Sequence, residues 1–359
     1  MKYNGKEYSR QDLLKRVGDM RQIAGVRPGR LTEGFSDGSP VLDVSTGGGL
    51  EFTVLPGRGM DISAARYNGN SLAWLSASGD QHPAFYEPEG LGWLRSFPGG
   101  LLATCGLCWN GAPCLDDKEL GLHGRIGHVP AVEVNHTASW EGNRFLLKIS
   151  GKMRESILFG ENLEMTRIIT VVAGENKILI EDKVENMGYR TTPHMILYHM
   201  NFGFPLVDSR TYLMAPDINV TSRDADADID AEQYFQMHAP VAGYREKCYF
   251  IDLKPDKDGM VTTALVNPMQ GEDGAGVYLR WKQEELPYFT EWKMLGQGEY
   301  VVGMEPGNCL VLGRAKEREA GRLQYLEPGE SRAYHLEVGI LQNKAEIQAL
   351  RARIAETLA

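Results

Sequence analysis

Leu163-Glu164-Met165-Thr166-Arg167-Ile168-Ile169-Thr170-Val171 and, shortly after, Ile178-Leu179-Ile180-Glu181-Asp182-Lys183-Val184-Glu185-Asn186-Met187-Gly188 decide how this chain folds. In the first stretch Leu163, Met165, Ile169 and Val171 alternate with polar neighbours. In the second, Ile178, Ile180 and Val184 stand opposite Glu181, Lys183 and Glu185. A period of two is what a strand with one buried and one wet face requires, and Glu185-Asn186-Met187-Gly188 closes the segment as a turn.

The same period runs outward in both directions. A Gly- and Pro-punctuated region over 25–49 includes a strand at 40–44. Beyond it, period two persists to about residue 340, with further short strands at 310–314 and 333–340. The 41 glycines supply the turns of such a meander. Helical spacing is confined to the ends. Ser9 with Asp12 opens a helix over 9–23 carrying Leu13, Leu14, Val17 and Met20. Ile347, Leu350, Ile354 and Leu358 mark a second helix over 344–358. The expectation is a mainly β protein: one large antiparallel β-sandwich over 31–341, a helical extension at 1–30, and a C-terminal helix within 342–359 packed on the sheets. The acidic run at 224–230 lacks the glycine and terminal glutamate of a calcium loop and reads as a solvated loop.

Composition narrows the function. The net charge of −10 and pI near 5.4 speak against nucleic acid and anionic membrane as partners. No stretch reaches the ~18 apolar residues of a spanning helix. Five cysteines, an odd number, fit reduced thiols in a cytoplasmic protein better than a disulfide framework. A homodimer is the default assembly.

Three polar islands interrupt the apolar pattern. In Tyr198-His199-Met200-Asn201-Phe202-Gly203-Phe204-Pro205 an imidazole and a carboxamide two residues apart point the same way on a strand, between apolar neighbours. Leu122-His123-Gly124-Arg125 precedes it, and Gly303-Met304-Glu305-Pro306-Gly307 follows. Taken singly, each has a plain reading. His199 is a bonded core histidine, His123-Gly124 a turn with positive φ, and Glu305 a turn residue. Arg58 and Asp61, three apart, pair with each other or reach a ligand, and Arg58 and Arg95 suit hydroxyls, a carboxylate or a sulfonate.

In this order and on this background, the islands resemble the aldose 1-epimerase (galactose mutarotase-like) superfamily over roughly residues 40–340. The resemblance implies a supersandwich fold and a reaction that interconverts sugar anomers by opening and closing the ring. It makes His199 the general acid and Glu305 the general base, and gives His123 to sugar hydroxyls. One acid and one base suffice, with no cofactor and no metal. Arg125 and Asn201 join the substrate set, with Arg58, Asp61 and Arg95. Trp292 leads Trp93, Trp109 and Tyr288 as a platform for the apolar face of a pyranose. The family's early Asn-Arg pair is missing. Leu55-Pro56-Gly57-Arg58-Gly59-Met60-Asp61 is the nearest equivalent, which puts the chain in a divergent, poorly characterised branch. Two other readings stand beside this one. The first is a non-catalytic carbohydrate-binding protein on the same fold. The second is an isomerase or lyase with a metal polarising a carbonyl, for which Cys105, Cys108, Cys114, His123 and His128 are zinc-compatible donors. Cys105 and Cys108 as buried small hydrophobes are the simpler alternative.

Overall fold

The two alternating stretches become neighbouring strands, Asn162–Val172 and Lys177–Asn186, paired antiparallel with Met165 opposite Val184 and Ile169 opposite Ile180. The structure is a computed structural model describing residues 1–3 and 5–359. Both strands lie in an eight-stranded sheet. Its spatial order is Val132–Glu141, Arg144–Ser156, Asn162–Val172, Lys177–Asn186, Ser331–Leu341, Ala275–Lys282, Met260–Asn267 and Tyr212–Met214. Its inward residues, among them Leu163, Met165, Ile169, Ile180 and Val184, build one side of the main core. The C-terminal helix Lys344–Leu358 buries Ile347, Leu350 and Ile354 against Met214, Ala264, Val266 and Leu341, a small cluster separate from that core.

A second sheet supplies the other side. It runs Asp217–Ser222, Lys247–Leu253, Tyr288–Gly296, Glu299–Gly307, Thr192–Gly203, with Gln324–Leu326 and Ala103–Leu107 both paired to Thr192–Gly203. Four of these carry the site: the cysteine strand (Ala103–Leu107), the histidine strand (Thr192–Gly203), the tryptophan strand (Tyr288–Gly296) and the glutamate strand (Glu299–Gly307). The histidine strand is buried on both faces, and period two sorts its side chains. Ile196, Tyr198, Met200 and Phe202 enter the main core; Leu197, His199 and Asn201 point the other way. A five-stranded sheet, Gly25–Arg30, Pro40–Ser45, Leu50–Leu55, Asp61–Tyr67 and Asn70–Ser71, completes the architecture.

One polar network ties the three sheets together. Arg167 occupies an inward position of the eight-stranded sheet, where alternation calls for an apolar side chain. Its guanidinium donates to both carboxylate oxygens of Asp182 (2.9 and 2.6 Å), to Asp61 (2.9 Å), to the Thr104 hydroxyl (2.9 Å) and to the Gly59 carbonyl (3.2 Å). Tyr198 donates its hydroxyl to Asp182 (2.7 Å). A buried charge is tolerable where every donor finds an acceptor, and here each does.

Four expectations need correction. The helix over 9–23 shrinks to Arg10–Leu14, because the chain turns before Gly18, though Ser9 does cap Asp12. Gly25–Arg30 is already a strand of the five-stranded sheet, so the first 30 residues are not a purely helical extension. Residues 310–314 form no strand: the chain leaves the glutamate strand in a turn and enters the helix Arg314–Glu319. The acidic run folds as a helical turn, Ala225–Asp228, because Asp224 caps it by accepting the Ala227 N–H.

Candidate functional site

Ladder register builds the site. The histidine strand pairs Leu197 with Gly307 and Met200 with Met304, which sets His199 opposite Glu305. On the far side of His199 lies Ala103, and on the far side of Glu305 lies Thr290. The next row on this face is Asn201, Gly303, Trp292 and Cys248. Residues some 100 positions apart in the chain thus share one face because strand spacing puts them there.

His199 Nε2 lies 3.2 Å from Glu305 Oε1, with the two residues only 5% and 2% exposed. The angles at this contact fall short of a hydrogen bond, and among the described residues Oε1 has no other partner. His199 Nδ1, Asn201 Oδ1 and the Thr290 hydroxyl are buried and unpartnered as well. Asn201 uses its amide N–H₂ on the carbonyls of Gly100 (3.1 Å) and His199 (3.0 Å). Four orphaned polar atoms within two neighbouring rows of one sheet face are exceptional in a protein interior, where such groups are satisfied almost without exception.

Gly303 makes room for this arrangement. A Cβ there would sit 2.5 Å from Glu305 Oε1 and 3.2 Å from the Trp292 Cβ, so the missing side chain leaves room for the carboxylate. Around the pair stands an apolar collar. Phe97 and Trp292 meet the His199 ring edge-on at 5.4 and 5.3 Å, Trp74 meets Trp292 at 6.3 Å, and Trp93 lies 4.8 Å from the His123 ring. His123 faces His199 at 5.8 Å with perpendicular rings, and its Nδ1 is bonded to the Asn110 side chain at 3.0 Å. It reaches this position from left-handed backbone, φ 56°, followed by Gly124 at φ 77°. At Gly124 a Cβ would lie 2.2 Å from the Gly106 carbonyl oxygen, so only glycine fits.

Burial sets the electrostatics. It pushes the Glu305 carboxyl well above its ordinary range, with the nearby Glu246 carboxylate adding to the effect and Arg223 opposing it. Burial pulls His199 down to about 4, against the Asn201 side chain, and His123 down to about 3, with His199 adding to the depression. The two shifts favour an imidazole and a carboxyl that hold one proton between them over a wide pH range.

Several residues singled out in the sequence lie elsewhere. Arg58 donates to the carbonyls of Gln81 (3.0 Å) and Ser96 (2.8 Å) and to His128 Nε2 (3.0 Å), and so pins the segment that carries Trp93 and Phe97. Asp61 is committed to Arg167 and Thr104. The two therefore do not pair with each other, and their hydrogen bonds go to groups other than the His199–Glu305 row. Arg95 is exposed and paired with Glu87 at 3.2 Å. Arg125 is exposed, with its guanidinium 5.9 Å above the Tyr86 ring. Trp109 belongs to the main core.

The zinc-compatible donors do not converge. Cys105 joins the apolar collar, while Cys108 backs onto Glu155. Among the described residues the side chains close enough to share an ion are Cys108, Glu155 and Glu161. Glu161 is already paired with Lys118, and Glu155 accepts the Leu107 and Cys108 N–H groups. Sequence reasoning passed over Thr290, Glu246 and Arg223. Thr290 was within reach, since it shares a strand face with Trp292 two residues on. Glu246 and Arg223 lie in connecting segments with no local signal.

Sheet architecture and polar row together define a galactose mutarotase-like fold. The chain belongs to the family described as Domain of unknown function (DUF4432), whose model matches residues 36–340. A search of curated proteins gave no match. Among solved structures, one from Klebsiella pneumoniae, provisionally assigned as an aldose 1-epimerase, is 26% identical. It superposes with a TM-score of 0.88 over 93% of this chain and 88% of its own. A galactose mutarotase-like protein from Clostridium acetobutylicum is 13% identical (TM-score 0.64; 89% and 99% covered). A galactose 1-epimerase from Lactobacillus acidophilus is 12% identical (TM-score 0.55; 89% and 99%). At such identities the latter two share the fold alone. Among the described residues no helix is long and apolar enough to cross a membrane.

Proposed function

We propose that the protein is an aldose 1-epimerase-like enzyme that interconverts the anomers of a sugar by acid–base ring opening, with His199 and Glu305 as its proton-handling pair. The observation that carries the reading is the set of four unpartnered polar atoms on His199, Asn201, Glu305 and Thr290. They are buried, share one face and await a ligand rich in hydroxyls.

The chemistry follows from proton count. Glu305, ionised, takes the proton of the anomeric hydroxyl while His199, carrying the pair's shared proton on Nε2, gives it to the ring oxygen. Burial alone favours the opposite sharing, with the proton on Glu305, so the reactive form is the minor one that a bound sugar's hydroxyls stabilise. The bond between C1 and the ring oxygen breaks, C1–C2 rotates, and the reverse transfers close the ring on the other face. The two sugar oxygens sit on one carbon and are closer to each other than the 3.2 Å between Nε2 and Oε1, so each reaches its own partner. A pair that shares one proton starts and ends the cycle in the same state. Burial strengthens both transfers by excluding water. Trp292, Trp74 and Phe97 supply apolar surface for the ring carbons, and His123 and Thr290 offer polar groups to the remaining hydroxyls.

The test is anomer exchange by NMR over a panel of neutral, deoxy and acidic aldoses, for the wild type against Glu305→Gln and His199→Asn. Each variant is expected to lose roughly 10²–10⁴-fold in rate. Sugar signals that broaden with no gain in exchange rate would overturn catalysis in favour of a binding protein.

A further inference from the structure

We propose that Glu246 is a positioning residue, which clamps the Trp292 indole across Gly303 and against His199, so that the sugar platform and the proton-handling pair keep one geometry. The inference rests on the acid–base reading above and extends it to a residue outside the sheet face.

Four contacts close a ring. Trp292 donates its indole N–H to Glu246 Oε2 at 2.8 Å. The other oxygen, Oε1, accepts from Arg223 Nη2 at 3.0 Å. Arg223 Nη1 donates to the Cys248 sulfur at 2.9 Å, and Cys248 is the ladder partner of Trp292. Arg223 is itself steadied by Asp224, which accepts its Nε–H at 2.7 Å. Trp292 has one polar atom, and Glu246 holds it; the rest of the ring faces His199 and Trp74. A free indole turns between rotamers, whereas this one is fixed from both sides of its strand.

The clamp also carries charge to the pair. The groups around Glu305 are His199, with His123 behind it against the His199 ring, Thr290 and Cys248 from the other side, Cys105 along the collar, and Arg223 with Glu246 at the rim. Of these, Glu246 favours the protonated carboxyl and Arg223 the ionised one. Removing the Glu246 charge leaves Arg223 unopposed and lets Glu305 ionise at lower pH.

Glu246→Gln removes the charge but keeps an acceptor oxygen; Glu246→Ala removes both. With a turned-over aldose, Glu246→Ala should raise KM roughly tenfold with a smaller change in kcat. Glu246→Gln should move the acidic limb of kcat/KM down by roughly half to one pH unit. Trp292→Phe keeps the ring but has no N–H for Glu246 to hold. Adding Glu246→Ala to it should therefore give little further rise in KM. Trp292 emission against pH, taken as the difference between wild type and Trp292→Phe, reports on the pair without turnover, and its midpoint should shift in Glu246→Gln. If no aldose is turned over, the acid–base reading fails while this midpoint still decides the clamp. An unmoved midpoint, or an unchanged KM and limb in well-folded variants, overturns it.

Discussion

Replacing Gly303 by alanine tests whether catalysis depends on where the Glu305 carboxylate sits. A methyl group there would lie 2.5 Å from Oε1, about 0.9 Å short of ordinary van der Waals contact. It would also press on the Trp292 Cβ and Cε3 at 3.2 and 3.3 Å. The backbone at 303 is not left-handed, so alanine costs nothing in φ, and a residue with less unfolded freedom returns about 0.4–1 kcal/mol. Against that stands overpacking of about 1–3 kcal/mol, at the low end because the carboxylate is the free end of a flexible side chain. The carboxylate is the part that yields. A displacement near 1 Å at a reacting group costs on the order of 10²-fold in rate. Gly303→Ala is therefore expected to melt within a few degrees of wild type and to lose about two orders of magnitude in anomer exchange by NMR. A folded variant exchanging within about threefold of wild type would refute the reasoning, because Glu305 would then have worked from a different place.

Three further outcomes follow from the same structure. Thr290→Val removes a buried hydroxyl that has no partner, so thermal stability should hold or rise while kcat/KM falls roughly tenfold; unchanged kinetics would remove Thr290 from the site. Arg167→Met leaves Asp61 and Asp182 buried together without their cation, and should destabilise the fold by about 3–5 kcal/mol in denaturant unfolding. Glu291 is fully buried with neither carboxylate oxygen bonded, and burial holds its carboxyl well above its ordinary range, only partly offset by Lys293. Its folded value exceeds its unfolded one, so the native state keeps a proton that the unfolded chain releases. That contribution is whole below the ordinary carboxylate range and is lost as pH rises through the folded value. Glu291→Gln should therefore match wild type in melting temperature near pH 4 and exceed it near pH 8; an equal difference at both pH values would contradict this assignment.

Much of this could be read from the chain alone, and the reasons are local. Alternation at 163–171 and 178–185 is a direct image of one buried face, and it returned as paired strands. Ile347, Leu350 and Ile354 did the same for the C-terminal helix. His199 and Asn201 could be placed on one side of a strand from their spacing, and Trp292 beside them because aromatic rings line sugar pockets. What could not be read was set by register. Spacing puts Thr290 on the face of Trp292 but does not set it opposite Glu305, and nothing near Glu246 announces an indole 46 residues on. Arg58 and Asp61 misled because spacing of three suggests mutual pairing, while each finds better partners far along the chain. The helix at the start was overextended because Leu14 and Met20 fit a helical spacing that Gly18 interrupts.

Because Arg58 fastens the segment that carries Trp93 and Phe97 at two carbonyls, that covering piece is separable from the sheet beneath it. The proton-handling row takes its distances from backbone pairing, which tolerates no variation in register. The aromatic cover is an irregular stretch between residues 75 and 98, held at a few points and free to differ in length and side chains. On the acid–base reading proposed above, the part of sugar recognition that Phe97 supplies can be revised in the cover while the proton-handling row stays fixed in the sheet. Exchanging that stretch between two proteins of this fold should then shift substrate preference only as far as the Phe97 face sets it, and leave the proton-handling row where it was.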